Sequence, residues 1–277
     1  MYKPYLTNGK QLSFDKAQVM AIINITPDSF YDGGKFSSVA DILKEVEFKI
    51  NEGATIIDIG AASSKENAKE ISCKDELSRL KEPLHLIRKT FPEIILSVDT
   101  YLSEVAEYAI DKGADIINDI SGGEIDKRII DVIAKHKVAY IIMHMQGTPQ
   151  NMQHHPTYEN VTSDVFKFLK QKTEQCNGLG IDKLIVDVGF GFGKTVQQNY
   201  QLLKELNEFE LLNYPILVGL SRKSMINKVI QTSPETALTG TVVLNTIALQ
   251  NGAKILRVHD VKEAKQAIDI YEFYKSV

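Results

Sequence analysis

A chain of 277 residues, 43% hydrophobic and 25% charged, has room for one large α/β barrel or two small domains. It can bury a core that needs no disulfide or metal staple, and its two cysteines, Cys73 and Cys176, read as unpaired thiols in a reducing compartment. A net charge of -4 argues against nucleic acid or an anionic membrane as partner, so an anionic small ligand would need a local cluster of cations.

The first 18 residues carry an Asn8-Gly9 hairpin signal between Tyr5-Leu6 and Gln11-Leu12, and are expected to form a two-stranded lid under the main domain. No signal-peptide pattern or run of roughly 20 apolar residues is evident, which suggests a cytoplasmic protein. Short apolar runs rich in Val and Ile then recur at 19–25, 55–60, 94–100, 115–120, 139–145, 183–189, 215–221 and 253–259. Longer segments of helical periodicity separate them. In the first, Val39, Ile42, Leu43, Val46 and Ile50 share a stripe, with Lys44, Glu45 and Lys49 expected to face away. The last repeats the pattern with Val261, Ala264, Ile268 and Tyr271. Eight strand–helix units without a linker predict a single closed (β/α)₈ TIM barrel over 19–277, with 1–18 as an N-terminal hairpin.

Each apolar run ends in a polar group: Asn24, Asp58, Asp99, Asn118, His144, Asp187, Ser221, and Arg257 with His259. In a closed parallel barrel these ends converge on one face, where such folds hold their active sites. Singly, each has a plainer reading: Asp99-Thr100 or Asn118-Asp119 as caps, His144 as a satisfied core histidine. A shared position at the same end of every strand favours a site.

The connecting loops sharpen this. Residues 25–34 hold Pro27, Asp28 and a Gly33-Gly34 pair, suited to a lid. The stretch Gly189-Phe190-Gly191-Phe192-Gly193-Lys194 fits neither a P-loop nor a dinucleotide fingerprint, since its spacings are wrong for both. It presents Asp187, able to accept two hydrogen bonds from an amino-pyrimidine edge, and the ring of Phe192. Ser221-Arg222-Lys223-Ser224 opens a helix with two cations, an arrangement suited to an anion, and Arg257 offers a guanidinium fork. His154-His155 precedes Pro156 in a polar stretch and is read as solvent-facing.

Taken together, Asn24-Ile25-Thr26-Pro27-Asp28-Ser29-Phe30, Ser97-Val98-Asp99-Thr100, Ile117-Asn118-Asp119, Met143 to Pro149, Asp187 with Gly189 to Lys194, Ser221 to Ser224 and Arg257-Val258-His259-Asp260 resemble the dihydropteroate synthase family, in order, over residues 18 to 265. The resemblance implies an alkyl transferase of folate biosynthesis that joins a pterin diphosphate to p-aminobenzoate. It implies Asp99, Asn118, Asp187 and Lys223 on the pterin ring, and Asn24, Arg257 and His259 on the diphosphate, with Asn24 on Mg²⁺. Ser224 would meet the p-aminobenzoate carboxylate and Phe192 its ring. Asp28, Asp99, Lys223 and Arg257 are the expected catalytic group, and a homodimer is the expected assembly.

Two departures stand out. The family's second loop usually runs Gly-Gly-Glu-Ser-Thr-Arg-Pro-Gly, whereas here Gly60-Ala61-Ala62-Ser63-Ser64-Lys65-Glu66-Asn67 stands. Ser64 replaces a threonine hydroxyl, while Lys65 keeps a charge but lacks the planar fork of arginine. Val188 stands where the family has Pro. The reaction implied is a dissociative substitution at the pterin CH₂, and Arg257→Ala is expected to lose activity by orders of magnitude while folding normally. The competing readings are a pterin-binding methyltransferase module and a pterin-binding paralogue without synthase activity.

Overall fold

The computed structural model describes residues 2–25, 38–62, 71–152 and 156–277. Two short strands, β1 (Tyr5–Thr7) and β2 (Lys10–Leu12), form an antiparallel hairpin whose turn places Asn8 and Gly9 at positive φ. Eight parallel strands follow: β3 (Gln18–Asn24), β4 (Ile56–Gly60), β5 (Ile95–Asp99), β6 (Ile116–Asp119), β7 (Ala139–Met143), β8 (Leu184–Asp187), β9 (Ile216–Val218) and β10 (Ala253–Val258). They pair in sequence order, and β10 closes on β3, so the sheet is a closed barrel, as the alternation of apolar runs and helical segments predicts.

The helices between them are α1 (Val39–Asn51), α2 (Cys73–Thr90), α3 (Ser103–Asp111), α4 (Arg128–His136), α5 (Val161–Gly178), α6 (Val196–Lys204), α7 (Ser224–Ile230), α8 (Leu238–Gln250) and α9 (Val261–Ser276). Their buried stripes pack on outward strand residues such as Ile57, Leu96, Ile117, Tyr140 and Val186 in one large cluster. Helix starts follow local chemistry: Ser38, Ser72 and Asn160 accept from backbone N–H groups three residues on, and Thr195 with Gln198 forms a reciprocal capping box. One helical expectation is corrected. Lys49 of α1 does not face away; it is buried, and its Nζ donates to the carbonyl of His259 at 2.8 Å. Among the described residues no helix is long and apolar enough to cross a membrane.

Inside the barrel a second cluster gathers lower inward side chains from every strand: Met20, Ile56, Ile95, Ile116, Ala139 and Ile141, Ile185, Leu217 and Ile255. The hairpin plugs this end with Tyr5, Leu12 and Phe14. Tyr5 donates to the Leu184 carbonyl at 2.5 Å and Thr7 to the Asp115 carbonyl at 3.0 Å. Asp115 is fully buried and paired with Lys10 and Arg88, which ties hairpin, barrel and α2 together. Because inward residues recur every second position, the next inward side chain lies roughly 7 Å further up the strand. There the chemistry changes: Ile56 gives way to Asp58, Ile95 to Ser97 and then Asp99, Ile116 to Asn118, Ile185 to Asp187, and Ile255 to Arg257.

Candidate active site

The polar strand ends meet at the mouth. Arg257 on β10 donates from Nε to Asp58 on β4 and from Nη2 to Asp99 on β5, both at 2.7 Å. Asn118 on β6 donates to the same Asp58 oxygen at 3.1 Å. Gly60 allows this convergence, since a Cβ there would press on Asp99 Cβ at 3.3 Å. Burial alone would lower the Arg257 pKa, but Asp58 and Asp99 outweigh it and hold the guanidinium firmly charged. Burial pushes the Asp99 carboxyl upward against the pull of Arg257, with the negative Asp58 and Glu76 adding to the rise. Among the described residues, Asp58 Oδ1 and Ser97 Oγ are buried polar atoms with no hydrogen-bond partner.

Asp187, at the end of β8, accepts from the Gly189 N–H at 2.8 Å. Burial raises its pKa, and the positive charge of Lys223 opposes the rise. Lys223 extends from the start of α7: its Nζ donates to the Phe190 carbonyl and stands 4.7 Å from the centre of the Phe192 ring. Burial lowers its pKa to about 8, with Asp187 pulling the other way. Direct bonds therefore join Arg257 and Asn118 through Asp58, and Asp99 to Arg257, while charge and the Gly-rich loop join Asp187, Phe192 and Lys223.

The remaining candidates sit around this centre. Asn24 is exposed at the tip of β3, beside Gly60 in register. His259 lies one residue past the end of β10 and is exposed. Its backbone N–H donates to Ser221 Oγ at 3.2 Å, and its Nδ1 stands 3.0 Å from the same oxygen. Ser224 is exposed on the wall of a cleft of about 290 Å³ shared with Lys194, Thr195, Asn199 and Lys228. Asp28, Ser64, Lys65 and the His154-His155 pair lie outside the described residues.

Three readings of the sequence need amending. Arg222 is not available to an anion: it makes two bonds to Asp260 at 2.9 and 2.7 Å and two more to the carbonyls of Pro234 and Glu235, from a left-handed backbone at φ 59°. His144 answers to its plainer reading, buried and bonded to Lys194, its pKa lowered to about 3 by burial and by that ammonium. Arg257 neutralises two carboxylates in the interior, so Arg257→Ala is not expected to fold as stably as the parent chain.

Two residues were not singled out from sequence. Asp58 appeared only as one strand ending among eight, yet it anchors both Arg257 and Asn118. Glu76, in the first turn of α2, is 1% exposed, with Oε1 unpartnered and Thr100 donating to the carboxylate. Burial raises its pKa to about 7. No local signal distinguishes it, since an acidic residue in a first helical turn is ordinary dipole chemistry.

Residues 20–259 match the family model described as pterin binding enzyme. The chain is 45% identical to the dihydropteroate synthase of Haemophilus influenzae over 267 residues, 96% of each chain. It is 41% identical to that of Escherichia coli over 95% of this chain and 94% of the other. Among solved structures, the Yersinia pestis dihydropteroate synthase in a sulfonamide drug complex superposes with a TM-score of 0.94 at 39% identity, covering 99% of this chain and 100% of that one. The Xanthomonas albilineans enzyme with 4-aminobenzoic acid gives 0.93 at 34% identity, with both chains covered completely. The chain belongs to the pterin-binding enzyme family and, within it, to the dihydropteroate synthases.

Proposed function

We propose that this chain condenses 6-hydroxymethyl-7,8-dihydropterin diphosphate with p-aminobenzoate, giving 7,8-dihydropteroate and diphosphate, in the cytoplasm. The observation that carries the reading is the convergence of Asp99, Asn118, Asp187 and Arg257 from four strands on one barrel mouth. Asp187 accepts from the amino-pyrimidine edge of the pterin, Asn118 and Asp99 meet its other polar atoms, and Lys223 donates to the ring. Their burial favours a planar, hydrogen-bond-rich ligand over a loosely held anion.

The reaction is a substitution at the pterin CH₂. The C–O bond to diphosphate breaks and its electron pair leaves with the phosphate. The electron-rich pterin spreads the positive charge left behind. The aryl amine lone pair then forms the C–N bond, and the amine sheds a proton to solvent or to the departing diphosphate. Arg257 and His259 stabilise charge building on the leaving group. Phe192 packs on the aryl ring and Ser224 meets its carboxylate. Asp28 offsets the cation and excludes water, and Ser64 with Lys65 orders p-aminobenzoate.

Asn24 suits a magnesium ion of this kind. It supplies one neutral amide oxygen at the mouth, and among the described residues no cluster of three acidic, histidine or cysteine side chains offers a dedicated cage. Asn24 would hold such a hard cation through its amide oxygen, and the ion would supply neutralisation of charge on a leaving diphosphate.

The assembly we propose is a homodimer built on α8 and α9. Val243 is half exposed on α8, while Ile270 and Phe273 are both 72% exposed on α9, beside a cleft of about 370 Å³ lined by Val242, Thr246, Tyr271 and Tyr274. An apolar patch of this kind on a barrel's outer helices suits a second copy.

The test is release of diphosphate from the pterin diphosphate, which should require p-aminobenzoate and fall after chelation of magnesium. Release without p-aminobenzoate, or tight pterin binding with no release, would overturn the synthase reading.

A further inference from the structure

The Gly-rich loop after β8 ends in a lysine, and a lysine in that place ordinarily invites a phosphate assignment. Here Lys194 turns the other way. It is 3% exposed, and its Nζ lies 2.8 Å from the Gly189 carbonyl, 3.0 Å from the Phe192 carbonyl, 3.1 Å from His144 Nδ1 and 3.4 Å from the His144 carbonyl. An ammonium has three protons to donate, and these acceptors take them all.

The acceptors come from two loops. Gly189 and Phe192 belong to the loop after β8, His144 to the loop after β7, so the ammonium fastens one to the other. The contact has no slack. Gly189 and Gly193 both stand at positive φ, and a Cβ on either would collide with the carbonyl of His144 or Gln146. Asn199 holds the loop from below, accepting from Gly191 N–H at 2.7 Å and donating to the Lys194 carbonyl at 3.1 Å, and Tyr158 donates to the Gly193 carbonyl at 2.8 Å.

That loop also carries the parts that locate Lys223: the Phe190 carbonyl that accepts from its Nζ and the Phe192 ring beside it. We propose that Lys194 is a positioning residue for the pterin pocket, fixing the loop that places Lys223, Phe192 and Asp187, and that it is not a ligand of the diphosphate. The inference rests on the synthase reading only for what fills the pocket; the clamp itself is a matter of geometry. The buried charge has company: Asp187 stabilises it, while Lys223 and burial oppose it, and His144 faces it as a neutral ring. A fixed shell of this kind keeps recognition groups within a fraction of an ångström of where they act.

The experiment compares the parent enzyme with Lys194→Met in three measurements: KM for the pterin diphosphate, direct binding of 6-hydroxymethylpterin by fluorescence, and inhibition by inorganic diphosphate. Positioning predicts that pterin affinity weakens by about tenfold or more, while diphosphate inhibition changes by less than about twofold. Unchanged pterin affinity overturns the inference. So does a loss of diphosphate affinity equal to or larger than the pterin loss, which is the mark of a phosphate ligand or of general collapse. Should Lys194→Met fail to fold, Tyr158→Phe removes a bond to the same loop without disturbing a buried charge, and the same selective loss, roughly threefold, is expected. No effect in that variant counts equally against the clamp. Binding of hydroxymethylpterin needs no turnover, so a failure of the synthase reading would show separately, as a parent enzyme that binds pterin and releases no diphosphate.

Discussion

The Nη2 of Arg257 donates to Asp99 Oδ2 at 2.7 Å while its Nε is held by Asp58, so one guanidinium bridges two carboxylates across the barrel mouth. Asp58 is fully buried and the Asp99 side chain is 16% exposed, so the bridge offsets carboxylate charge that burial would otherwise penalise.

Arg257→Ala should therefore lower stability by about 3 kcal/mol, the lower end for breaking a buried pair because the guanidinium is partly solvated, and reduce turnover by about a hundredfold or more. Urea unfolding and diphosphate release measure the two separately. Replacing both partners, with Arg257→Met and Asp58→Asn, should recover part of the stability and none of the activity. An unchanged unfolding midpoint in Arg257→Ala would contradict the bridge.

Glu76 gives a pH prediction. Its folded pKa of about 7 lies above the ordinary 4.5, so between those values the folded state holds a proton that the unfolded chain has lost. The carboxyl's contribution is thus fully present below about 4.5, declines as pH rises towards 7, and is gone above it. Glu76→Gln lacks this dependence. The variant should match the parent near pH 5 and exceed it at pH 8 by on the order of a few kcal/mol. Thermal unfolding at the two pH values checks this; a gap that does not widen with pH rejects the buried, proton-holding carboxyl.

Ser221 sits where β9 leads into α7 and meets His259 twice, at the backbone N–H and at Nδ1. Because Oγ accepts from the N–H, its own proton is well placed to donate to Nδ1, which would put the ring proton on Nε2. Ser221→Ala should cost roughly tenfold in kcat with the unfolding midpoint shifted by about 1 kcal/mol or less. NMR of the His259 ring would reveal the tautomer, and an Nδ1-protonated ring in the parent protein would refute this account.

The exposed apolar face of α8 and α9 predicts a particle of about twice 31.0 kDa in sedimentation. Charging it with Ile270→Glu and Phe273→Glu should halve that mass and leave the far-ultraviolet circular dichroism unaltered. A monomeric parent protein, or a variant that stays dimeric, moves the interface elsewhere.

Much of this architecture was legible in the chain itself, for a stated reason. Strands buried on both sides read as apolar runs, and a polar residue at the end of such a run has no packing purpose, so Asp99, Asn118, Asp187 and Arg257 announced themselves. Pairings across the barrel did not. Asp58 and Arg257 are 199 positions apart, and only closure of β10 on β3 brings their strands within reach. Lys49 looked like a solvent-side helix charge because its target, the His259 carbonyl, belongs to the far end of the chain. Arg222 looked like an anion ligand because a cation in a loop has no periodicity to reveal which way it turns.

The plug beneath the barrel bears on how the molecule is assembled. Tyr5 binds a carbonyl 179 positions later, and Asn8 one 106 positions later. A ribosome releases the hairpin long before either partner exists: the Thr7 and Asn8 contacts must wait for residues 114 and 115, and the Tyr5 contact until the eighth strand arrives. Closure of the base is then a late folding event, and the rate at which newly made chains become protease-resistant should follow synthesis of the C-terminal half.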